Sequence, residues 1–314
     1  MRNEKQYIFG PVPSRRLGLS LGVDIVPFKV CSLDCLYCQV GKTVTRTLRR
    51  DAFVPLETVL EQLSRRLEEP LRADYVTVSG SGEPTLNLQL GSLIRRIKQI
   101  TDIPVAVITN GTLLFMPQVR KDCCEADIVL PSLDAWDGDV FQAVNNPSGD
   151  IDFDEYIEGL RLFRQEFSGS IWLEVFLIKG KNDSESGIRK LSGIISTIKP
   201  DKVQLNTAVR PTAYSQVERV EPDRLRQFAD IIGSECEIIA DFSAHRCREA
   251  GSDQSGAESV ITETLARRPC SFDDICSSVN FTPSIVRESL SVLLASGKII
   301  AECRDNTAYY RTAM

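Results

Sequence analysis

The chain has 314 residues, 42% of them hydrophobic and 25% charged, with a net charge of -6, a composition that fits a globular protein able to bury one large core and a second small one. No apolar run approaches the roughly eighteen residues that a membrane span needs, and no secretory leader pattern opens the chain. Ten cysteines without such a leader exclude a secreted disulfide framework and point to a reducing, cytoplasmic setting, where thiols serve as ligands or pack as small apolar groups.

The charge is unevenly spread. Residues 1–50 carry nine Lys or Arg against three acids, a local +6, which leaves 28 against 40, or -12, for the rest. Arg15, Arg16, Lys29, Lys42, Arg46, Arg49 and Arg50 therefore form a basic collar around residues 31–38. It is either a solvated surface or a set of cations that offset buried thiolates or meet an anionic substrate.

In chain order, residues 23–27 are an apolar run of strand character that leads into Cys31, Cys35 and Cys38. Apolar residues at 56, 59, 60, 63 and 67 behind Pro55 have helical spacing, with the proline at a first-turn position where its missing N–H costs nothing. Strands are predicted over 74–79, 103–109, 128–132, 171–178 and 203–206, and helices over 90–100, 113–123, 153–167, 188–198 and 222–232. Strands alternating with helices of this length require right-handed crossovers and a parallel α/β sheet covered by helices. Six such units are fewer than the eight of a closed barrel; periodicity does not separate an open, partial barrel from a flat doubly wound sheet.

Ligands of a parallel sheet gather at the C-terminal edge of its strands, and here those edges are polar and glycine-rich. After the second strand stands Ser79-Gly80-Ser81-Gly82-Glu83-Pro84-Thr85, where glycines let backbone approach a ligand and the proline fixes the turn. Asn110 in Thr109-Asn110-Gly111 is either a tight-turn residue or a ligand contact. Ser132 and Asp134 either cap a helix or touch a ligand. Glu174, set among apolar neighbours, needs a partner if it points inward. Gln204, Asn206 and Ala208 alternate onto one strand face, and Asn206 and Arg210 are candidates for nucleoside or substrate contacts, with turn formation as the alternative. The adjacent Cys123 and Cys124 point about 100° apart on a helix, which suits packing. Cys236, Cys247 and the single histidine, His245, lack tight ligand spacing; packing is favoured there over a second cluster.

Residues 249–258 read as a polar, glycine-containing linker that separates a domain over 1–248 from a small one over 259–314. The small domain carries a helix from Val260, a second capped at Ser271 and a third opened by Thr282-Pro283, followed by a hairpin around Asp305-Asn306. Three helices and a hairpin resemble a winged helix-turn-helix. DNA binding does not follow, since residues 252–314 hold six Lys or Arg against eight acids and the third helix offers only Arg287 beside Glu288. Protein contact, dimerisation or substrate gating is the favoured use.

The chemistry centres on the Cys-x3-Cys-x2-Cys loop. Thiolates are soft ligands suited to iron-sulfur clusters, and three of them hold three irons of a cubane and leave the fourth open. A structural zinc site closes with four ligands, and His245 lies over two hundred residues away. Zinc and unliganded thiols remain the alternatives.

This spacing, with Tyr37 before the last Cys, resembles the radical S-adenosylmethionine superfamily. Residues 9–18, Phe-Gly-Pro-Val-Pro-Ser-Arg-Arg-Leu-Gly, together with Asp24-Ile25-Val26-Pro27, resemble a narrower set grouped with wyosine-type tRNA synthases. The resemblance implies a partial (βα)6 barrel and a four-iron four-sulfur cluster on Cys31, Cys35 and Cys38. It also implies S-adenosylmethionine on the open iron, cleaved to a 5'-deoxyadenosyl radical that abstracts hydrogen from an unidentified substrate, with an external flavodoxin- or ferredoxin-like electron donor. Gly82-Glu83-Pro84 is similar to the family's Gly-Gly-Glu-Pro element, which binds the amino group of S-adenosylmethionine, with Ser81 in place of the first glycine. Ser132-Leu133-Asp134 falls where the family has a ribose or methionine-carboxylate contact. The rival classes are an iron-sulfur sensor that regulates transcription through the winged helix, and an activase that modifies a protein.

Overall fold

The computed structural model describes residues 5–240, 257–267, 269–279, 281–304 and 307–313. The chain opens with a hairpin of β1 (Ile8–Ser14) and β2 (Gly18–Val23), and the short strands β3 (Val30–Cys31) and β4 (Thr45–Arg46) pair with each other beyond it. The repeating units follow as α1 (Leu56–Glu68), β5 (Tyr75–Val78), α2 (Leu90–Ile100), β6 (Val105–Ile108), α3 (Pro117–Cys123), β7 (Ile128–Leu130), α4 (Gly138–Asn145), α5 (Phe153–Glu166) and β8 (Ser170–Leu177). They close with α6 (Glu185–Ile198), β9 (Lys202–Thr207), α7 (Pro222–Ile232) and β10 (Cys236–Ile238). The large sheet runs β1-β2-β5-β6-β7-β8-β9-β10, parallel from β2 onward and antiparallel only at β1. This is a partial barrel: five of the six expected strands are β5 to β9, β2 lies just ahead of the run expected at 23–27 and shares only Val23 with it, and β1 and β10 are added at the margins.

Alternation along the strands sorts the two faces. Outward residues such as Val76, Val78, Val105, Val107, Leu173 and Leu205 share one buried cluster with Leu63, Ile94, Leu160, Phe163, Leu191 and Phe228 of the covering helices. Each such side chain contributes roughly 1.5–3 kcal/mol of burial. Inward-facing Ala106, Ile128 and Leu130 meet Leu17 of the β1–β2 turn and form an apolar floor inside the barrel.

Local chemistry explains where the elements depart from the sequence pattern. Strand β2 ends at Val23, where the sequence pattern expects a strand to begin, because Asp24 turns to accept from the Ser81 N–H at 3.2 Å and the Ser81 hydroxyl at 2.6 Å. Pro55 is the N-cap of α1, one residue ahead of the expected position. The helix expected over 113–123 is split into a 3-10 turn, Thr112–Phe115, and α3, because Pro117 cannot donate into a continuing helix and starts a new one. Helix α4 was not expected; Asp137 caps it by accepting from the Val140 N–H at 3.0 Å.

A smaller unit contains α8 (Ala257–Arg267), β11 (Cys270–Ser271), α9 (Phe272–Ser278), α10 (Pro283–Ala295), β12 (Ile299–Arg304) and β13 (Thr307–Thr312), with sheet order β11-β13-β12. It has its own apolar cluster around Ile261, Ile275, Val286, Leu290 and Leu293. Ala257 and Glu258, expected in the linker, already belong to α8. Residues 249–256, His245, Cys247 and the Asp305-Asn306 turn lie outside the described residues.

The small unit is docked. Helices α8 and α9 pack on β1, and the segment after β9 is held by β12, β13 and α9. Arg304 donates to the carbonyls of Arg210 at 2.9 Å and Val217 at 2.6 Å, and the Tyr309 hydroxyl donates to the Val209 carbonyl at 3.0 Å. The unit thus joins the β1 margin of the sheet to the segment after β9.

Candidate cluster and S-adenosylmethionine site

Past β2 the chain makes a tight turn, with Lys29 in the left-handed region at φ 55°, and enters the thiol loop. Three backbone clamps hold that loop. The Glu83 N–H donates to the Val30 carbonyl at 3.1 Å, and the Lys29 N–H donates to the Ser81 carbonyl at 2.7 Å. A Cβ on Gly82 would lie 2.1 Å from the Val30 carbonyl oxygen, so only glycine permits this approach. At the far side, the Asp34 and Leu36 N–H groups donate to the Asn145 and Val144 carbonyls at the end of α4, at 3.1 and 3.0 Å. The third clamp is the segment after β9, where the Ala213 N–H donates to the Cys38 carbonyl at 2.8 Å and the Tyr214 hydroxyl to Asp34 at 2.8 Å.

All three thiols are half-buried, and each faces a nitrogen. Lys29 Nζ donates to Cys38 Sγ at 3.1 Å, Asn145 Nδ2 to Cys35 Sγ at 3.5 Å and Asn110 Nδ2 to Cys31 Sγ at 3.6 Å. Burial, then the charge of Glu83, pushes the Cys31 thiol up to about 12; burial, then Cys31, pushes Cys35 well above its ordinary range. Burial works against the Lys29 ammonium, but the negative charge available at Cys38, Cys31 and Cys35 outweighs it and holds its pKa up. Metal ligation demands thiolates, so a metal held by these thiols would release protons and supply the counter-charge for Lys29.

Glu83 is buried and committed internally. Its Oε1 accepts from the Thr85 N–H at 3.0 Å and from the Thr85 and Thr109 hydroxyls at 2.6 Å each, while Oε2 accepts from the Asn110 N–H at 2.8 Å. Burial raises its pKa despite these donors. Its carboxylate therefore organises the turn and joins it to Asn110, whose Oδ1 accepts from Thr112. Pro84 starts the following 3-10 turn.

Asp134 is brought to the same place. It accepts from the Tyr37 hydroxyl, from Asn145 Nδ2 at 2.7 Å and from the Phe176 N–H at 2.7 Å, and burial lifts it to about 6. The Ser132 carbonyl accepts from the Tyr156 hydroxyl. Deeper in the barrel, Asn206 Nδ2 donates to Glu174 at 2.8 Å and its Oδ1 accepts from Arg15 at 3.3 Å, while Arg16 donates to Glu174 at 2.5 Å. Arg210 is placed elsewhere: it pairs with Asp274 of the small unit at 2.6 Å, both side chains buried. Apposed α9 supplies its counter-charge.

The basic collar is resolved residue by residue. Arg15, Arg16 and Lys29 point into the barrel and the thiol loop, Arg50 locks the turn after Pro84 through Asp122 at 2.6 Å and the Thr85 carbonyl at 2.9 Å, and Lys42 lies over the Tyr214 ring at 4.7 Å. Arg46 donates to Asn146, and Arg49 is exposed.

Asn145 escaped sequence reasoning because α4 did; the Asp137 cap signal ahead of Phe141 and Val144 is what reveals that helix. Among the described residues its buried Oδ1 lacks a hydrogen-bond donor, an orphan of the kind that a bound polar ligand satisfies. No three His, Cys, Asp or Glu side chains among the described residues converge as ligands of a single metal ion do. Ligands of a cubane each take a different iron and need not. Three thiols on one clamped loop, a buried cation and an orphaned acceptor fit a cluster with a polar ligand beside it.

The family model of the Radical SAM superfamily matches residues 25–191. The chain is 39% identical over 303 residues to a protein of Brachyspira hyodysenteriae named GTPase Obg, covering 96% of this chain but only 45% of that protein. It is 33% identical over 298 residues to the UPF0026 protein MJ1312 of Methanocaldococcus jannaschii, covering 87% of this chain and 90% of that one. The solved structure of TYW1 with a lysine-pyruvate adduct bound has the same fold, with a TM-score of 0.54 and 18% identity over 77% of this chain and 79% of that one. No helix among the described residues is long and apolar enough to cross a membrane. With the match spanning more than half of the chain and containing the three-thiol loop, the protein belongs to the Radical SAM superfamily, enzymes whose cofactors are a four-iron four-sulfur cluster and S-adenosylmethionine.

Proposed function

We propose that Cys31, Cys35 and Cys38 hold a four-iron four-sulfur cluster which, when bound, would supply one electron to S-adenosylmethionine, breaking its sulfonium S–C bond to give methionine and a 5'-deoxyadenosyl radical that takes a hydrogen atom from an organic substrate. The observation that carries this reading is the Gly82 contact: the Gly-Glu-Pro turn lies directly against the thiol loop, so the cofactor's amino-acid end and the cluster share one wall.

In this reading Gly82 presents backbone polar groups to the ligand, Pro84 fixes the turn, and Glu83 holds it in place through Thr85, Thr109 and Asn110. Asn110 and Asn145 steady the thiols from the two flanks, and Ser132 and Asp134 line the ribose side. The polar layer of Arg15, Arg16, Glu174 and Asn206 forms the substrate end above the apolar floor. An external flavodoxin- or ferredoxin-like protein provides the electron, in the cytoplasm.

The small unit is read as a winged-helix-like module used for protein contact or for gating the open side of the barrel. Its order of helix, strand, two helices and two strands supports the comparison. A nucleic-acid role is disfavoured because Arg287 of α10 lies over the Phe272 ring at 4.8 Å. Anaerobic reconstitution tests the whole reading: the wild-type chain should take up iron and sulfide and form 5'-deoxyadenosine on reduction, and Cys31→Ala, Cys35→Ala or Cys38→Ala should abolish both. Deuterated extracts then identify the substrate by the molecule that passes deuterium to 5'-deoxyadenosine. Tightly bound zinc without iron after anaerobic purification would overturn it.

A further inference from the structure

Lys29 combines two features that are individually unfavourable. Its backbone stands at φ 55°, where a glycine would be at ease, and its side chain is only 3% exposed. A long flexible cation at such a turn ordinarily reaches for water or for a carboxylate. Among the described residues Lys29 makes no ion pair with a carboxylate; its ammonium instead donates to Cys38 Sγ at 3.1 Å. The turn that imposes the left-handed backbone is also what aims the side chain, since the Lys29 N–H is tied to the Ser81 carbonyl at 2.7 Å and its carbonyl accepts from the Val44 and Thr45 N–H groups at 3.0 Å each.

We propose that Lys29 is the built-in charge partner of the cluster, its ammonium stabilising the Cys38 thiolate and, through it, the reduced form of the cluster. This inference rests on the cluster assigned above to Cys31, Cys35 and Cys38. Reduction adds one negative charge to a buried group. A fixed cation within hydrogen-bond distance of a ligand sulfur lowers the energy of that added charge, and hydrogen bonds and net charge near the sulfurs are the protein's levers on cluster potential. Lys29 is thus a positioning residue: it touches a ligand sulfur and sets how readily the site accepts its electron.

The test is the midpoint potential of the anaerobically reconstituted full chain, followed by electron paramagnetic resonance in a redox titration, for wild type, Lys29→Met, Lys29→Gln and Lys29→Arg. The neutral variants should hold the cluster with a reduction equilibrium at least tenfold less favourable, a fall of about 59 mV for one electron, and Lys29→Arg should recover most of it. If the neutral variants lose the cluster while Lys29→Arg keeps it at close to the wild-type potential, the charge requirement is upheld. Neutral variants with the wild-type potential overturn the proposal, as does loss of the cluster from all three, which would reduce Lys29 to a packing role. Failure of the wild type itself to take up a cluster strikes the underlying assignment instead, so the two failures are distinct.

Discussion

The Tyr37 hydroxyl donates to the Asp134 carboxylate, joining the thiol loop to the C-terminal edge of β7. The Tyr37 ring also stacks on Phe176 with centroids 3.9 Å apart, and the Phe176 N–H donates to the same carboxylate at 2.7 Å. One buried acid therefore coordinates the loop, β7 and β8.

That acid should leave a mark on the pH dependence of stability. Burial moves Asp134 from its ordinary 3.8 to about 6. Between those values the folded chain keeps a proton that the unfolded chain has released, so this contribution to stability falls as pH rises through the window and is flat above it. The ionised form costs on the order of 3 kcal/mol. Urea unfolding of the cluster-free chain at pH 4.5, already inside the window, and at pH 7 should show about two-thirds of this loss in wild type and not in Asp134→Asn. Equal pH dependence in the two proteins would show that Asp134 titrates normally.

Gly82→Ala should uncouple cluster binding from folding. The added methyl group would meet the Val30 carbonyl at 2.1 Å, and the turn must back away from the thiol loop to relieve it. The contact lies between two loops, although Val26 of the buried cluster also comes within 3.0 Å of the added methyl group, so far-ultraviolet circular dichroism should keep its helix and strand signal while reconstituted iron per chain drops severalfold. Wild-type iron content would mean that the two loops move apart without consequence.

Glu83→Ala is expected to act through the turn. It strands the Thr85, Thr109 and Asn110 donors in a buried place, a loss of about 2–4 kcal/mol for several hydrogen bonds to one buried carboxylate. S-adenosylmethionine affinity should weaken together with thermal stability, and Glu83→Gln, which retains one acceptor oxygen, should fall between. Weakened affinity at full stability would instead argue for direct contact between the carboxylate and the ligand.

What could be read beforehand divides along physical lines. The strands from β5 to β9 and their helices other than α4 announce themselves, because buried faces enforce periods of 2 and 3.6, and the thiol spacing is local in the chain. The N-terminal hairpin was hidden because β1 contains Gly10, Pro11 and Pro13, residues that weaken a strand pattern and are tolerated here on an edge strand. Partners distant in sequence were equally hidden. Nothing in the sequence distinguishes Lys29 in the collar from exposed Arg49, and the ion pair of Arg210 is out of sight because Asp274 lies 64 residues away.

That last pair alters what removal of the small unit should do. Read from periodicity, truncation after about residue 250 leaves a self-contained core with its cluster intact. The structure adds a path: Arg304, Tyr309 and Asp274 hold the segment after β9, and the same segment holds the Cys38 carbonyl through Ala213 and Asp34 through Tyr214. The truncated chain should still fold and still assemble a cluster, because all three thiols and two of the three clamps remain. It should nevertheless lose iron to a chelator several times faster than the full chain. Asp274→Asn in the full chain isolates the cause. Breaking one side of a buried ion pair costs roughly 3–5 kcal/mol, and part of that loss should appear as the same faster release of iron. Equal release rates in wild type, Asp274→Asn and the truncated chain would show that the segment after β9 holds the thiol loop unaided, and that the small unit serves only partners or substrate.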